Sequence, residues 1–257
     1  VNSANSCKMI IMKNIYQDIL LAKKEKSKLL AILLDPDKID LNTVPALIQK
    51  VINAPATHVF IGGSHVTHNI IDELILKIKS SCELPIVLFP GNPSQISIHA
   101  DGILFLSLLS GRNPDFLIEH QVKAAPILKK TDLEIIPTSY LLIESGNETA
   151  VARVSKTTPI SRIDVEEVCN TAMAGEMLGH QLIYLEAGSG AKQSVPLEMI
   201  QEVAKNTTIP LVVGGGITSL LGIQNAYEAG ADLVVIGTAF EKNPSFFENK
   251  HFTINND

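Results

Sequence analysis

Cysteine is scarce in this chain. Cys7, Cys82 and Cys169 are odd in number, far apart and never spaced C-x-x-C. That excludes a disulfide framework and a zinc knuckle, and fits the reduced thiols of a cytoplasmic protein. Long apolar runs are missing as well. The longest, Leu29–Leu34, is far too short to cross a bilayer, and the polar N-terminus has no signal-peptide core. Basic charge is thin: 21 Lys and Arg stand against 27 Asp and Glu, and no basic cluster outruns Lys23-Lys24-Glu25-Lys26. Nucleic acid is therefore not an expected partner. With a net charge of −6, any anionic substrate must be held by local N–H groups and a cation, because the overall field repels it.

What is present is core. Hydrophobic residues make up 46% of the 257, mean hydropathy is +0.22 and charged residues reach only 19%, which argues against disorder. The length suits a single α/β barrel. Residues 1–12 read as a flexible N-terminal tail, 13–250 as one barrel domain and 251–257 as a C-terminal tail.

Strand-like runs alternate with helical stretches along the chain. Strands are expected at 29–34, 57–61, 85–89, 102–106, 134–138, 182–185, 211–213 and 233–236. Helices are expected at 14–26, 40–52, 67–79, 115–125, 165–178, 196–205 and 219–229. Between the third and fourth strands only residues 92–100 remain, with Pro93 near their start, so a full third helix does not fit. Residues 139–160 read as a long irregular section, and such loops are usually functional. Continuously apolar strands covered by helices imply a parallel sheet. An open doubly wound sheet would want G-x-G-x-x-G after the first strand, which ends instead in Asp35-Pro36-Asp37. The expected fold is a modified (β/α)8 TIM barrel whose third helix is replaced by a short irregular segment.

Active sites of such barrels lie at the C-terminal strand ends. Glu186 ends an apolar strand and enters the glycine turn of Tyr184-Leu185-Glu186-Ala187-Gly188-Ser189-Gly190-Ala191, which can aim several N–H groups at one anion. Gly214-Gly215-Gly216 and Gly237-Thr238 punctuate the next two strands in the same way. Tyr184 shares the inward face with Glu186, although a phenol can also simply fill the core. The bland alternative for Glu186 is an ion pair with a loop lysine. Asp35 and Ser64 end adjacent strands, and a carboxylate beside a hydroxyl suits Mg²⁺, although each also fits a plain turn. His65 and His68, spaced i, i+3, lack a third ligand and read as exposed histidines.

Leu34-Asp35-Pro36-Asp37-Lys38, Ile61-Gly62-Gly63-Ser64, the Tyr184–Ala191 block, Val213-Gly214-Gly215-Gly216-Ile217 and Val235-Ile236-Gly237-Thr238 together resemble the geranylgeranylglyceryl phosphate synthase family. The Tyr-Leu-Glu-Ala-Gly-Ser-Gly block is the specific part; the triple glycine and Gly-Thr are common among phosphate-binding barrels. The resemblance implies a barrel without its third helix. It also implies a prenyltransferase of lipid biosynthesis, which forms an ether between a polyprenyl diphosphate, such as geranylgeranyl diphosphate, and the 3-hydroxyl of sn-glycerol 1-phosphate. Asp35 and Ser64 would hold Mg²⁺. Tyr184, Leu185, Glu186, Ala187, Gly188, Ser189, Gly190, Gly215, Gly216, Gly237 and Thr238 would hold glycerol 1-phosphate. The family often has Gly-Asn where this chain has Gly237-Thr238, and nothing carries over onto residues 139–160.

The chemistry is coherent. Mg²⁺ held at Asp35 would supply neutralisation of the leaving diphosphate, and Glu186 would take the alcohol proton. A homo-oligomer is expected, as is transient contact with a membrane surface for release of the lipid product. Two rivals stand beside this reading: a phosphosugar isomerase or aldolase of the same fold, and a non-catalytic phosphometabolite-binding protein. No strand ends in the lysine a Schiff-base aldolase needs.

Overall fold

Six consecutive apolar residues are stable as a strand only where both faces are covered. Leu29–Leu34 meets that condition as β1 in the computed structural model, which describes residues 14–63, 68–243 and 245–247. The other strands are β2 (His58–Ile61), β3 (Ile86–Leu88), β4 (Gly102–Leu108), β5 (Glu134–Leu142), β6 (Leu182–Glu186), β7 (Leu211–Gly214) and β8 (Leu233–Ile236). All eight pair in parallel and in chain order, and β1 pairs with β8 to close the barrel. The two proposed tails lie outside the described residues.

Strand alternation sorts the core into two bodies. Ala31, Phe60, Val87, Leu104, Ile136, Tyr184, Val212 and Val235 fill the barrel interior. Leu30, Ile32, Val59, Ile86, Ile183, Val213 and Val234 face the helical layer. The helices are α1 (Ile15–Glu25), α2 (Val44–Asn53), α3 (His68–Lys79), α4 (His120–Leu128), α5 (Ala150–Ser155), α6 (Val165–Met177), α7 (Leu197–Asn206), α8 (Leu220–Glu228) and α9 (Thr238–Lys242).

The first helix is a plug rather than a layer element. Ile15 and Ile19 are buried within the interior cluster, and Gly102 makes room for them: a Cβ there would lie 2.9 Å from Ile15 Cδ1. The Glu134 carboxylate at the start of β5 accepts the free helix-end N–H groups of Ile15 and Tyr16 at 2.6 and 2.8 Å. Asp232 accepts from Leu211 N and Lys23 Nζ, both at 2.9 Å, and ties α1 to the same end.

Several boundaries differ from the sequence reading. Residues 40–43 form a polar turn, with Asp40 accepting from Asn42 N at 2.9 Å, so α2 begins only at Val44. The helix expected at 115–125 is a π turn, Asp115–Glu119, running into α4. The third helix is indeed replaced, by the 3₁₀ turn Pro93–Gln95.

The largest correction concerns residues 139–160. β5 continues through Leu142, because Tyr140 and Leu142 still face the interior while Leu141 and Ile143 face outward. Ile143 then bridges Ile160 in parallel, and Thr149 caps the short α5 between them.

Replacing Glu134 by Ala leaves the α1 N–H groups without their acceptor and unseats the plug. We expect a loss of about 1–2 kcal/mol in unfolding free energy, measured by urea titration. An unchanged midpoint would remove Glu134 from the closure.

Candidate active site

The chain reaches the barrel mouth on β6 with Tyr184 and Glu186 pointing inward, both buried, at 0% and 5% exposure. Leu185 and Ala187 have the opposite parity and pack into the outer cluster. Their side chains do not reach the cavity, unlike the other residues of the turn, although Ala187 N donates to Gly214 O at 3.0 Å. Glu186 Oε1 accepts from Gly188 N at 2.6 Å. Among the described residues no lysine or arginine pairs with it. Burial lifts its pKa to about 7, against the pull of the Gly188 N–H and the neighbouring Tyr184 hydroxyl. That hydroxyl lies close to the carboxylate without closing a well-formed hydrogen bond, and its oxygen is left buried without a partner. Burial and the Glu186 charge also push the Tyr184 and Tyr140 phenols well above their ordinary range.

Glycine is required around this carboxylate for two reasons. Gly188, Gly190, Gly215 and Gly216 have φ of 98°, 74°, 78° and 68°, where a Cβ is strained. A Cβ on Gly215 would also stand 2.3 Å from Glu186 Oε1, and one on Gly214 2.5 Å from the Tyr184 hydroxyl. Gly237 is different: its φ is −114° and a Cβ would make ordinary contact with Leu33 at 3.4 Å. Thr238 opens α9, and its Oγ1 lies 3.4 Å from Ser189 Oγ. The turns after β6, β7 and β8 thus converge, and Ser189, Gly190, Gly215, Gly216, Gly237 and Thr238 all line one cavity.

Residues 143–162 are the scaffold of that glycine turn. Ile143 N donates to Glu186 O at 2.8 Å, Gln193 N to Ser145 O at 3.2 Å and Lys192 N to Asn147 Oδ1 at 3.1 Å. Thr149 packs so closely against Gly188 that a Cβ there would lie 2.4 Å from its methyl group. Arg162 spans the carbonyls of Glu144 and Ser194 at 2.9 and 3.4 Å.

Across the mouth, Asp35 follows β1. Its Oδ1 accepts from Asp37 N at 3.2 Å and its Oδ2 meets Lys38 Nζ at 3.0 Å. Lys38 also reaches Glu241 Oε2, at 3.1 Å. Burial lowers the Lys38 pKa, but hydrogen bonds to Asp35 and Glu241 and their charges outweigh it and hold the ammonium above its ordinary value. Ser64 and His65 lie outside the described residues, and the His68 side chain is likewise outside them. No group of three His, Cys, Asp or Glu side chains is placed to hold a metal among the described residues.

The buried Gln95 braces the adjoining loops: its Oε1 accepts from Gly91 N at 2.7 Å and its Nε2 donates to Gly63 O at 2.9 Å. The cavity, about 590 Å³, extends from Asp35 and the glycine turns to an apolar arm. Phe89, stacked on Tyr184 at 5.2 Å and edge-on to Tyr140 at 5.7 Å, stands at the junction. Ile96, Ile103, Phe105 and Ala124 line the arm on the outer side of β4, where a third helix would otherwise lie. Sequence reasoning did not single out Phe89, Tyr140, Lys38, Glu241 or Gln95. Inward strand parity marks Tyr140, and also Phe89, two residues beyond the inward Val87; nothing local marks Glu241.

The sequence profile of the PcrB family matches residues 22–256. Geranylgeranylglyceryl phosphate synthase of Flavobacterium johnsoniae is 63% identical over 93% of this chain and 98% of its own length. The enzyme of the same name from Zunongwangia profunda is 52% identical over 90% and 98%. A crystal structure of (S)-3-O-geranylgeranylglyceryl phosphate synthase from Thermoplasma acidophilum, in complex with its substrate sn-glycerol-1-phosphate, superposes with a TM-score of 0.87. It shares 32% identity, and the match covers 92% of this chain and 95% of that one. With the profile spanning nearly the whole barrel and relatives matched end to end, the chain belongs to the PcrB family.

Proposed function

We propose that this chain is a prenyltransferase that joins a polyprenyl diphosphate, geranylgeranyl diphosphate above all, to the 3-hydroxyl of sn-glycerol 1-phosphate. One observation carries the reading. A buried carboxyl with a pKa near 7 lies beside a positive-φ glycine turn, in a cavity that also opens into an apolar arm. An isomerase or aldolase of this fold has no use for that arm.

The phosphate of glycerol 1-phosphate sits against the N–H groups and hydroxyls of Ser189, Gly190, Gly215, Gly216 and Thr238. Anchoring at that end fixes the 3-hydroxyl against the allylic carbon. Glu186 accepts the hydroxyl proton as the new C–O bond forms. The bond from the allylic carbon to the diphosphate breaks, and diphosphate leaves with the electron pair. The prenyl tail occupies the apolar arm over β4.

Asp35 fits a hard cation such as Mg²⁺. Its Oδ2 already engages the Lys38 ammonium as a stand-in cation, and Mg²⁺ asks few ligands of a protein. When bound, that ion supplies neutralisation of the departing diphosphate. Ser64 belongs to the same proposal. So do a cytoplasmic location and a homo-oligomer, whose interface would cover the exposed Ile118 and Val122. Among the described residues no helix is long and apolar enough to cross a membrane, and contact with a membrane would be transient and superficial.

Asp35→Ala should abolish turnover while glycerol 1-phosphate still binds by calorimetry, since the metal serves the other substrate. Near-normal activity of that variant at low Mg²⁺ would discard the metal assignment. Gly190→Ala is a clean probe of the phosphate turn, because a Cβ there meets nothing within 4 Å. Its KM for glycerol 1-phosphate should rise about tenfold from strain at positive φ, with the prenyl KM little changed. Equal loss for both substrates would mean misfolding instead.

Glu186→Gln should keep substrate binding and lower kcat by about 10²–10⁴-fold. In the unmodified enzyme kcat should climb with pH and level off above about 7, as the carboxyl ionises. Stability should move the other way. The folded state holds a proton that the unfolded state has already lost between the ordinary carboxyl pKa of 4.5 and about 7, so stability falls as pH rises through that window. Glu186→Gln removes this cost and should raise Tm at pH 8 more than at pH 5. A variant that melts earlier yet turns over normally would mark Glu186 as structural.

A further inference from the structure

Lys38 at the cavity mouth engages two carboxylates that follow different strands, Asp35 and Glu241. β1 and β8 are neighbours in the barrel, so the turns that follow them meet. In the 3₁₀ turn Pro36–Lys38 the side chain three residues beyond Asp35 eclipses it, which places the ammonium 3.0 Å from Asp35 Oδ2. Glu241, one turn into α9, approaches from the other side at 3.1 Å. The two carboxylates are largely covered, at 17% and 16% side-chain exposure, whereas the Lys38 side chain is 48% exposed.

Two carboxylates and one ammonium leave this edge with a net negative charge, which is the wrong sign for a diphosphate. A divalent cation held at Asp35 would reverse it, but Lys38 already engages Asp35 Oδ2 while Oδ1 accepts from Asp37 N. We propose that Lys38 is an exchangeable counter-ion: it screens Asp35 until a divalent cation displaces it, then stays on Glu241 and serves as a second cationic ligand of the diphosphate. Glu241 is thereby a positioning residue, keeping the displaced ammonium beside the leaving group. A lysine that only stabilised the turn would need one carboxylate, and the second gives it somewhere to go. The inference deepens the prenyltransferase reading and rests on its metal assignment at Asp35.

The arrangement predicts effects of opposite sign from a single substitution. In Lys38→Met, Mn²⁺ alone, followed by electron paramagnetic resonance, should bind about 2–5-fold more tightly, because its competitor is gone. Inorganic diphosphate, titrated calorimetrically at saturating Mn²⁺, should bind about tenfold more weakly. Glu241→Gln, which leaves Lys38 to Asp35 alone, should weaken Mn²⁺ binding. Glycerol 1-phosphate affinity should hold in both variants, which also reports that they are folded. Weaker or unchanged Mn²⁺ binding in Lys38→Met would overturn the exchange, and unchanged diphosphate affinity would overturn the ligand role. Asp35→Ala separates the underlying reading: if it leaves Mn²⁺ affinity intact, the metal assignment fails, and the inference with it.

Discussion

A carboxylate buried in an apolar barrel mouth is costly to ionise, and much of this structure is arranged around Glu186. Its strand is apolar on both sides, its neighbours Tyr184 and Tyr140 are buried aromatics, and it lines the cavity at only 5% exposure. The Gly188 N–H at 2.6 Å and the nearby Tyr184 hydroxyl partly offset the desolvation and leave the pKa near neutrality. An ion pair would have made the carboxylate more comfortable and useless as a base. On the proposed reading, the lack of a lysine or arginine partner among the described residues suits a proton acceptor, which works best when its pKa lies near the working pH. Gly214 and Gly215 serve the same residue, because a side chain at either would occupy the space of Glu186 or Tyr184, whereas one on Gly216 would strike the Gln193 backbone.

The peripheral features support that mouth from three directions. The α1 plug seals the opposite end, so the interior is a packed core and not a pore. Residues 143–162 brace the glycine turn through backbone contacts and Arg162. Omitting the third helix does two things at once. It leaves the outer side of β4 free to line the apolar arm, and the 3₁₀ turn in its place delivers Gln95 to hold Gly63 and Gly91. The site is thus built from loops, but each loop is held by a hydrogen-bonded strut.

The barrel was legible because its strands are short, apolar and regularly spaced, and the inward parity of Tyr184 and Glu186 follows from strand alternation alone. The missing helix was legible from length, since so few residues separate β3 from β4. The same parity turns the Leu185 and Ala187 side chains outward, which a motif taken as a whole does not show. Residues 139–160 depart from the expected irregular section because polar Thr138-Ser139 interrupt the apolar run of β5, and the partners of its far end, Glu186 and Ile160, are distant in sequence. Lys38 and Glu241 were invisible for a similar reason, being brought together only when β8 closes onto β1.

The ionisation of Glu186 itself is the most direct test of this arrangement. Carbon-13 NMR of glutamate-labelled protein, differenced against Glu186→Gln, isolates its carboxyl resonance. A titration midpoint near 7 in the ligand-free protein is the expected result. A midpoint at the ordinary glutamate value of 4.5 would mean a solvated or paired carboxylate, and would contradict the role of Glu186 as a buried base.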